Sequence, residues 1–210
     1  MTEKRNDPDL YDAEYFKMRN NKDYFAKSIR LLSYCAVIVH MGVKTVLDVG
    51  CGPNYLCGYL KMLGLDATGA DFSPDSGADV IASATDLSMF EDQSFDLVFS
   101  SDLLEHLNEG DIDKAISEFS RVGKHQAHNF CCVENDVPEN DPWHITQESR
   151  PWWFSKFEKH GLYATHEFSL THNPAPNPVV PLGQRAMGYM LVFNWLPGEN
   201  WLGEGDWDKP

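Results

Sequence analysis

Apolar and polar positions along the chain follow two periods, one near 3.6 residues and one of short unbroken runs. Over residues 24–41, Phe25, Ile29, Leu32, Cys35, Ala36 and Ile38 recur at spacings near three and four, which predicts a helix with one buried face. Residues 44–49, KTVLDV, form a short apolar run that stops at glycines, the pattern of a strand covered on both faces of a parallel sheet. A helix is predicted over 55–63 and further strands at 67–71, 79–83, 95–101 and 127–134. Ile112, Ala115, Ile116, Phe119 and Val122 share one face of a helix over 112–122, and Trp153, Phe154 and Phe157 do so over 146–160. Strands that alternate with helices at this spacing predict a doubly wound, Rossmann-like α/β sheet with helices on both faces.

The two ends depart from that alternation. Residues 162–171 and 187–196 read as strands joined by a Pro-rich loop at 173–183, so the last strand is expected to run antiparallel in an otherwise mostly parallel sheet. Aromatic and charged residues mix over 11–41, where helix is expected, and the acidic tail 197–210 carries Trp201 and Trp207. No internal repeat is evident. At 210 residues the expectation is a single domain, with an N-terminal helical segment over 1–41, a core over 42–196 and the tail.

Composition narrows the function classes. With 42% hydrophobic residues there is material for a core, while 17 basic against 32 acidic residues leave a formal charge of −15. Such a surface repels phosphate backbones, so nucleic acid is disfavoured as a partner. The densest basic stretches, 22–30 and 121–128, read as solvated helix faces. Cys35, Cys51, Cys57, Cys131 and Cys132 form no zinc or disulfide spacing, and the odd count fits a reducing compartment, so a cytoplasmic location is expected. The longest apolar run, 31–39, is about half of the roughly 20 residues that a membrane span needs, and the N-terminus lacks a signal-peptide pattern.

The most informative stretch is VLDVGCGPNY at 46–55. A strand ends at Asp48, and the chain turns through Gly50 and Gly52 into a helix whose unpaired N–H groups face a ligand. A dinucleotide site would place a third glycine at position 55, which is Tyr55 here. The stretch instead resembles motif I of the class I S-adenosylmethionine-dependent methyltransferases, with Asn54 where that pattern has its last glycine; asparagine tolerates left-handed backbone better than most residues. The resemblance covers residues 45–134 and implies a Rossmann-like fold with S-adenosyl-L-methionine as cofactor. It implies that Asp71, followed by Phe72 and 21 positions after Gly50, binds both ribose hydroxyls. It also implies that Asp86 and Leu87 hold the adenine, and that Ser101, Asp102 and the segment 105–107 lie beside the methionine part. Tyr11, Tyr15 and Phe16 resemble the N-terminal lid of small-molecule methyltransferases, with Tyr15 over the cofactor. Each acid also has a plainer reading as a turn or helix cap.

Methyl transfer from a sulfonium mainly requires alignment, and a base where the acceptor must lose a proton. His106, after the fourth strand at the carboxyl edge of the sheet, and His144, after the fifth, are the candidate catalytic residues. Alternatively, His106 starts a helix and His144 is a loop residue. Trp143, Trp152 and Trp153 either shape an acceptor pocket or anchor the core. Asp136, Glu139, Asp141 and His144 offer hard ligands for a divalent ion, but they are scattered in a Pro-containing loop and no metal is expected. The expected activity is methylation of oxygen or nitrogen on a small polar or saccharide-linked acceptor. The alternatives are a protein or RNA methyltransferase and a catalytically silent cofactor-binding module.

Overall fold

The computed structural model describes residues 11–22, 24–132, 144–170 and 188–194. Helices α1 (Ala13–Lys22) and α2 (Tyr24–His40) precede β1 (Thr45–Val49), α3 (Tyr55–Met62), β2 (Asp66–Asp71), β3 (Val80–Ile81) and β4 (Phe95–Ser101). A 3-10 turn (Leu104–His106) leads to α4 (Glu109–Val122), β5 (Gly123–Phe130), α5 (Arg150–Glu158), β6 (Ala164–Leu170) and β7 (Gly188–Phe193). The strands form one sheet in the order β3-β2-β1-β4-β5-β7-β6. Strands β1 to β5 run parallel, and β7 inserts antiparallel between β5 and β6. This is the predicted mostly parallel, Rossmann-like sheet with a reversed last strand.

Successive strand residues face opposite sides of a sheet, and here each side has its own core. Val46, Leu97 and Phe99 pack with Tyr34, Ile38 and Leu60 from α2 and α3. Leu47, Val49 and Val98 pack with Ile112, Ile116, Phe119, Trp153 and Phe157 from α4 and α5. The order reverses between β1 and β4, so the loops after these two strands open a crevice at the carboxyl edge.

Three predicted elements are shifted. The buried face of α2 is Tyr34, Cys35, Ile38 and the following Met41, whereas Leu32 is 56% exposed and Ala36 is also exposed. The predicted stripe left out Tyr34, whose hydroxyl is paired with Ser101 Oγ at 3.0 Å. Strand β5 begins at Gly123 rather than at 127, because its polar first half satisfies itself internally: Gln126 Nε2 donates to the Phe119 carbonyl at 2.7 Å. A Cβ on Gly123 would come within 2.5 Å of Val98 Cγ2, so glycine permits the close approach to β4. Helix α5 starts at Arg150 rather than at 146, with Pro151 in its first turn. Residues 144–149 run in an irregular segment held to the sheet edge by Thr146, whose N–H donates to the Glu105 carbonyl and whose hydroxyl donates to the Leu107 carbonyl. The Pro-rich loop, the Trp-containing tail, Trp143, Asp136, Glu139 and Asp141 lie outside the described residues.

Candidate functional site

The turn after β1 is shaped by three left-handed residues in five: Gly50 (φ 73°), Gly52 (φ 53°) and Asn54 (φ 63°). A Cβ at Gly50 would touch Leu103 at 3.0 Å, so the bare backbone also lets the β4 loop close against it. Asp71, at the end of β2, accepts from the Gly52 N–H through Oδ2 and from the Ser73 N–H through Oδ1, both at 2.9 Å. Burial pushes its pKa above the usual carboxylate value, and the two N–H donors act in the opposite direction. Each carboxylate oxygen can accept more than one hydrogen bond, which leaves Asp71 capacity for a diol. Asp48 is 4% exposed, and burial first, then the neighbouring charge of Asp71, pushes it up to about 8.

These residues border two adjoining cavities. The larger, about 520 Å³, is lined by Gly50, Gly52, Asp71, Phe72, Leu103 and His106, with Ala82 to Thr85 at its far wall. The smaller, about 180 Å³, takes in Asp48, Arg30, Ser101 and Asp102. Tyr15 and Phe16 of α1 border both. The N-terminal segment is pinned by contacts of its own: Ser73 Oγ donates to the Tyr11 carbonyl at 2.7 Å, and the Tyr11 ring meets Tyr15 and Phe72 edge-on at 4.8 and 5.3 Å. A cavity of this size, with glycine backbone on one side and a buried carboxylate on another, fits an adenosyl cofactor.

Of the residues that the sequence singled out, the structure brings together Tyr15, Asp48, Gly50, Gly52, Asp71, Phe72, Ser101 and His106 around this space. It does not bring Asp86 or Leu87 to it. The Asp86 side chain is exposed and accepts from the Ser88 N–H at 3.1 Å, while Leu87 is fully buried in the core and its N–H donates to Glu118. The wall on that side is Ser83, Ala84 and Thr85, the three residues that precede Asp86. Trp153 is a core residue and Trp152 packs edge-on against it at 5.0 Å; neither borders the cavities. The thiols of Cys51 and Cys57 are pushed up by burial first and by Asp48 next, which keeps them neutral.

Beyond the cavity rim, His144 meets the His106 ring edge-on with centroids 5.0 Å apart. Beneath them Glu105 is 1% exposed; its Oε1 accepts from the Cys131 N–H at 3.1 Å. Burial first, and the Asp102 charge next, push Glu105 up to about 8, with His144 acting the other way. Sequence reasoning placed Glu105 only within the segment 105–107 beside the methionine part, and it assigned no role to Arg30, whose guanidinium pairs with Asp102 at the smaller cavity. A cation on a helix face gives no local signal that it reaches a loop 72 positions away.

Residues 47–131 match the family model of the methyltransferase domain. No curated protein sequence matches the chain. Among solved structures, an S-adenosylmethionine-dependent methyltransferase from Archaeoglobus fulgidus superposes with a TM-score of 0.63 at 18% identity, over 85% of this chain and 99% of that one. The 1,6-didemethyltoxoflavin N1-methyltransferase of Burkholderia thailandensis, solved with its substrate and S-adenosylhomocysteine, gives 0.57 at 14% identity over 90% of each chain. A chain from the complex of the Haloferax volcanii Trm112 methyltransferase activator with its methyltransferase gives 0.62 at 18% identity, over 86% and 92%. At these identities the likeness is one of fold.

Proposed function

We propose that the chain, whose residues 47–131 match a methyltransferase domain, is an S-adenosylmethionine-dependent methyltransferase that methylates oxygen or nitrogen of a small polar or saccharide-linked acceptor. The observation that supports this most is the larger cavity, where Asp71 and His106 share about 520 Å³ with the rings of Tyr11, Tyr15 and Phe16. A pocket of this size admits a small acceptor, and the charge of −15 disfavours a polyanion. The Burkholderia neighbour is an N1-methyltransferase of 1,6-didemethyltoxoflavin.

On this reading Asp71 holds the ribose diol, Gly50 and Gly52 let the cofactor lie against backbone, and Ala84 and Thr85 flank the adenine. Arg30 and Asp102, at the smaller cavity with Asp48 and Ser101, take the carboxylate and ammonium of the methionyl end. S-adenosylmethionine, when bound, supplies a methyl group on a sulfonium that the acceptor atom displaces in line. Tyr11, Tyr15 and Phe16 exclude water while alignment is held. Proton removal from the acceptor falls to the edge formed by His106 and His144.

The test is transfer of labelled methyl from S-adenosylmethionine into a cell extract separated into small-molecule, glycan, protein and nucleic-acid fractions, beside calorimetric binding of S-adenosylhomocysteine. Label is expected in the small-molecule or glycan fraction. Asp71→Ala should weaken S-adenosylhomocysteine roughly 10- to 100-fold, the loss of one or two hydrogen bonds to a charged group. Label confined to protein or nucleic acid overturns the acceptor class, and binding without label in any fraction favours a silent module.

A further inference from the structure

The methyl-transfer scheme gives His106 and His144 the acceptor's proton and gives Glu105 no part, yet the three residues form one cluster. One ligand atom from each lies within 4.8 Å of the other two, and among the described residues this is the group with such spacing. Sequence separation hid it, since His144 is 38 positions after His106 and reaches it only because Thr146 is tied to the carbonyls of Glu105 and Leu107. A second observation points to a ligand. Glu105 is 1% exposed, and its Oε2 accepts no hydrogen bond from the described residues, although Oε1 is satisfied by the Cys131 N–H. A buried carboxylate oxygen without a donor costs free energy that a cation beside it would offset.

We propose that Glu105, His106 and His144 bind one divalent transition-metal ion, of the zinc, cobalt or manganese class, at the acceptor edge of the cavity. Two imidazoles and one carboxylate are a donor set suited to such ions rather than to magnesium or calcium, which prefer oxygen ligands. Three protein ligands leave a coordination position open, and because His106 borders both cavities, that position faces the space where an acceptor would sit. An ion there lowers the pKa of a hydroxyl held beside it, the proton leaving to solvent. It thereby takes over the role that a free imidazole would play. The Tyr11 hydroxyl, 3.5 Å from His106 Nδ1, is placed to orient the ring from the second layer. The ion site stands on its own geometry, and only its catalytic consequence rests on the proposed transfer reaction.

The experiment is titration of the chelator-stripped full chain with Co²⁺, followed by visible absorption and checked by competition with Zn²⁺. One ion per chain is expected, with ligand-field bands displaced by Zn²⁺. Glu105→Gln and His144→Gln should each weaken binding at least tenfold. His144→Gln changes a residue outside helices and strands, and its S-adenosylhomocysteine affinity reports that the fold is intact. Absence of stoichiometric binding overturns the site, as does binding that neither substitution weakens. Either result leaves the methyl-transfer reading untouched, because that reading is tested by label incorporation.

Discussion

Asn54 shows how one side chain can stand in for a glycine and impose a glycine elsewhere. It occupies the left-handed position of the turn, and its Nδ2 donates to Asp79 Oδ2 at 3.0 Å. Asp79 also accepts from the Gly69 N–H and from Lys61, and although burial acts the other way, these donors hold it below the usual carboxylate range. The Asn54 side chain lies where a Cβ on Gly69 would be, 2.2 Å from Oδ1 and 2.6 Å from Cγ. Gly69→Ala therefore forces Asn54 off Asp79 and should cost about 1–3 kcal/mol. Adding Asn54→Gly should recover part of that loss, since Cys51 Sγ, at 2.8 Å, stays in the way. Urea unfolding of the four proteins in a double-mutant cycle measures the coupling, and additive costs would show that the two residues do not interact. The sequence showed that Asn54 tolerates the turn; the reciprocal demand on Gly69 is a contact between distant segments and has no local signal. Asp86 is the opposite case, because an acid at a plausible distance along the chain turns outward once a local Ser88 N–H is available to it.

Among the elements, those with buried apolar runs or clean helical stripes were legible: β1, β2, β4, α3 and α4 fall within a few residues of the predicted spans. The misplaced ones share a cause, in that polar atoms are buried with partners inside the fold. Tyr34 hides its hydroxyl on Ser101, and β5 hides Gln126 and His128, so a rule that equates burial with apolar character misplaces both. The N-terminal segment was legible as an aromatic lid by its resemblance, but the contacts that dock it were not, since they come from Ser73 and Phe72 of a remote loop. That docking makes α1 a cover whose removal should expose the cofactor without disturbing the sheet. Tyr15→Ala removes a ring that borders both cavities and contacts Tyr11 and Phe16. S-adenosylhomocysteine should bind about tenfold more weakly, given roughly 1.5–3 kcal/mol for a well-buried apolar side chain and partial burial here. The apo melting temperature should change little. A large fall in that temperature with unchanged affinity would make Tyr15 a structural staple instead of part of the lid.

For the whole molecule, pH acts through buried groups on both sides of the sheet, and the signs differ. His128 on β5 is fully buried, stacked between Phe119 and Phe157 at 5.1 and 5.3 Å, with Nδ1 2.9 Å from Ser100 Oγ. Burial pushes it down to about 3. Its unfolded value is near 6.5, so between these limits the unfolded chain binds the extra proton. The stability tied to neutral His128 is present above pH 6.5 and is lost as the pH falls toward 3, by about 1.4 kcal/mol per unit. Asp48 runs the other way: raised to about 8, it contributes stability below its unfolded value near 3.9 that is lost as the pH rises toward 8. The two slopes oppose each other across the mildly acidic range, so the wild-type profile alone conceals both. The paired substitution Ser100→Ala with His128→Phe removes the histidine term, leaves no orphaned hydroxyl and keeps an aromatic ring in the stack. Between pH 7 and pH 5, wild type should lose about 2 kcal/mol more than this variant, measured as the difference of urea-unfolding free energies. Asp48 is present in both proteins and cancels in that difference, as do the surface carboxylates. Equal pH dependence in the two proteins would mean that His128 takes up its proton without unfolding the core that surrounds it.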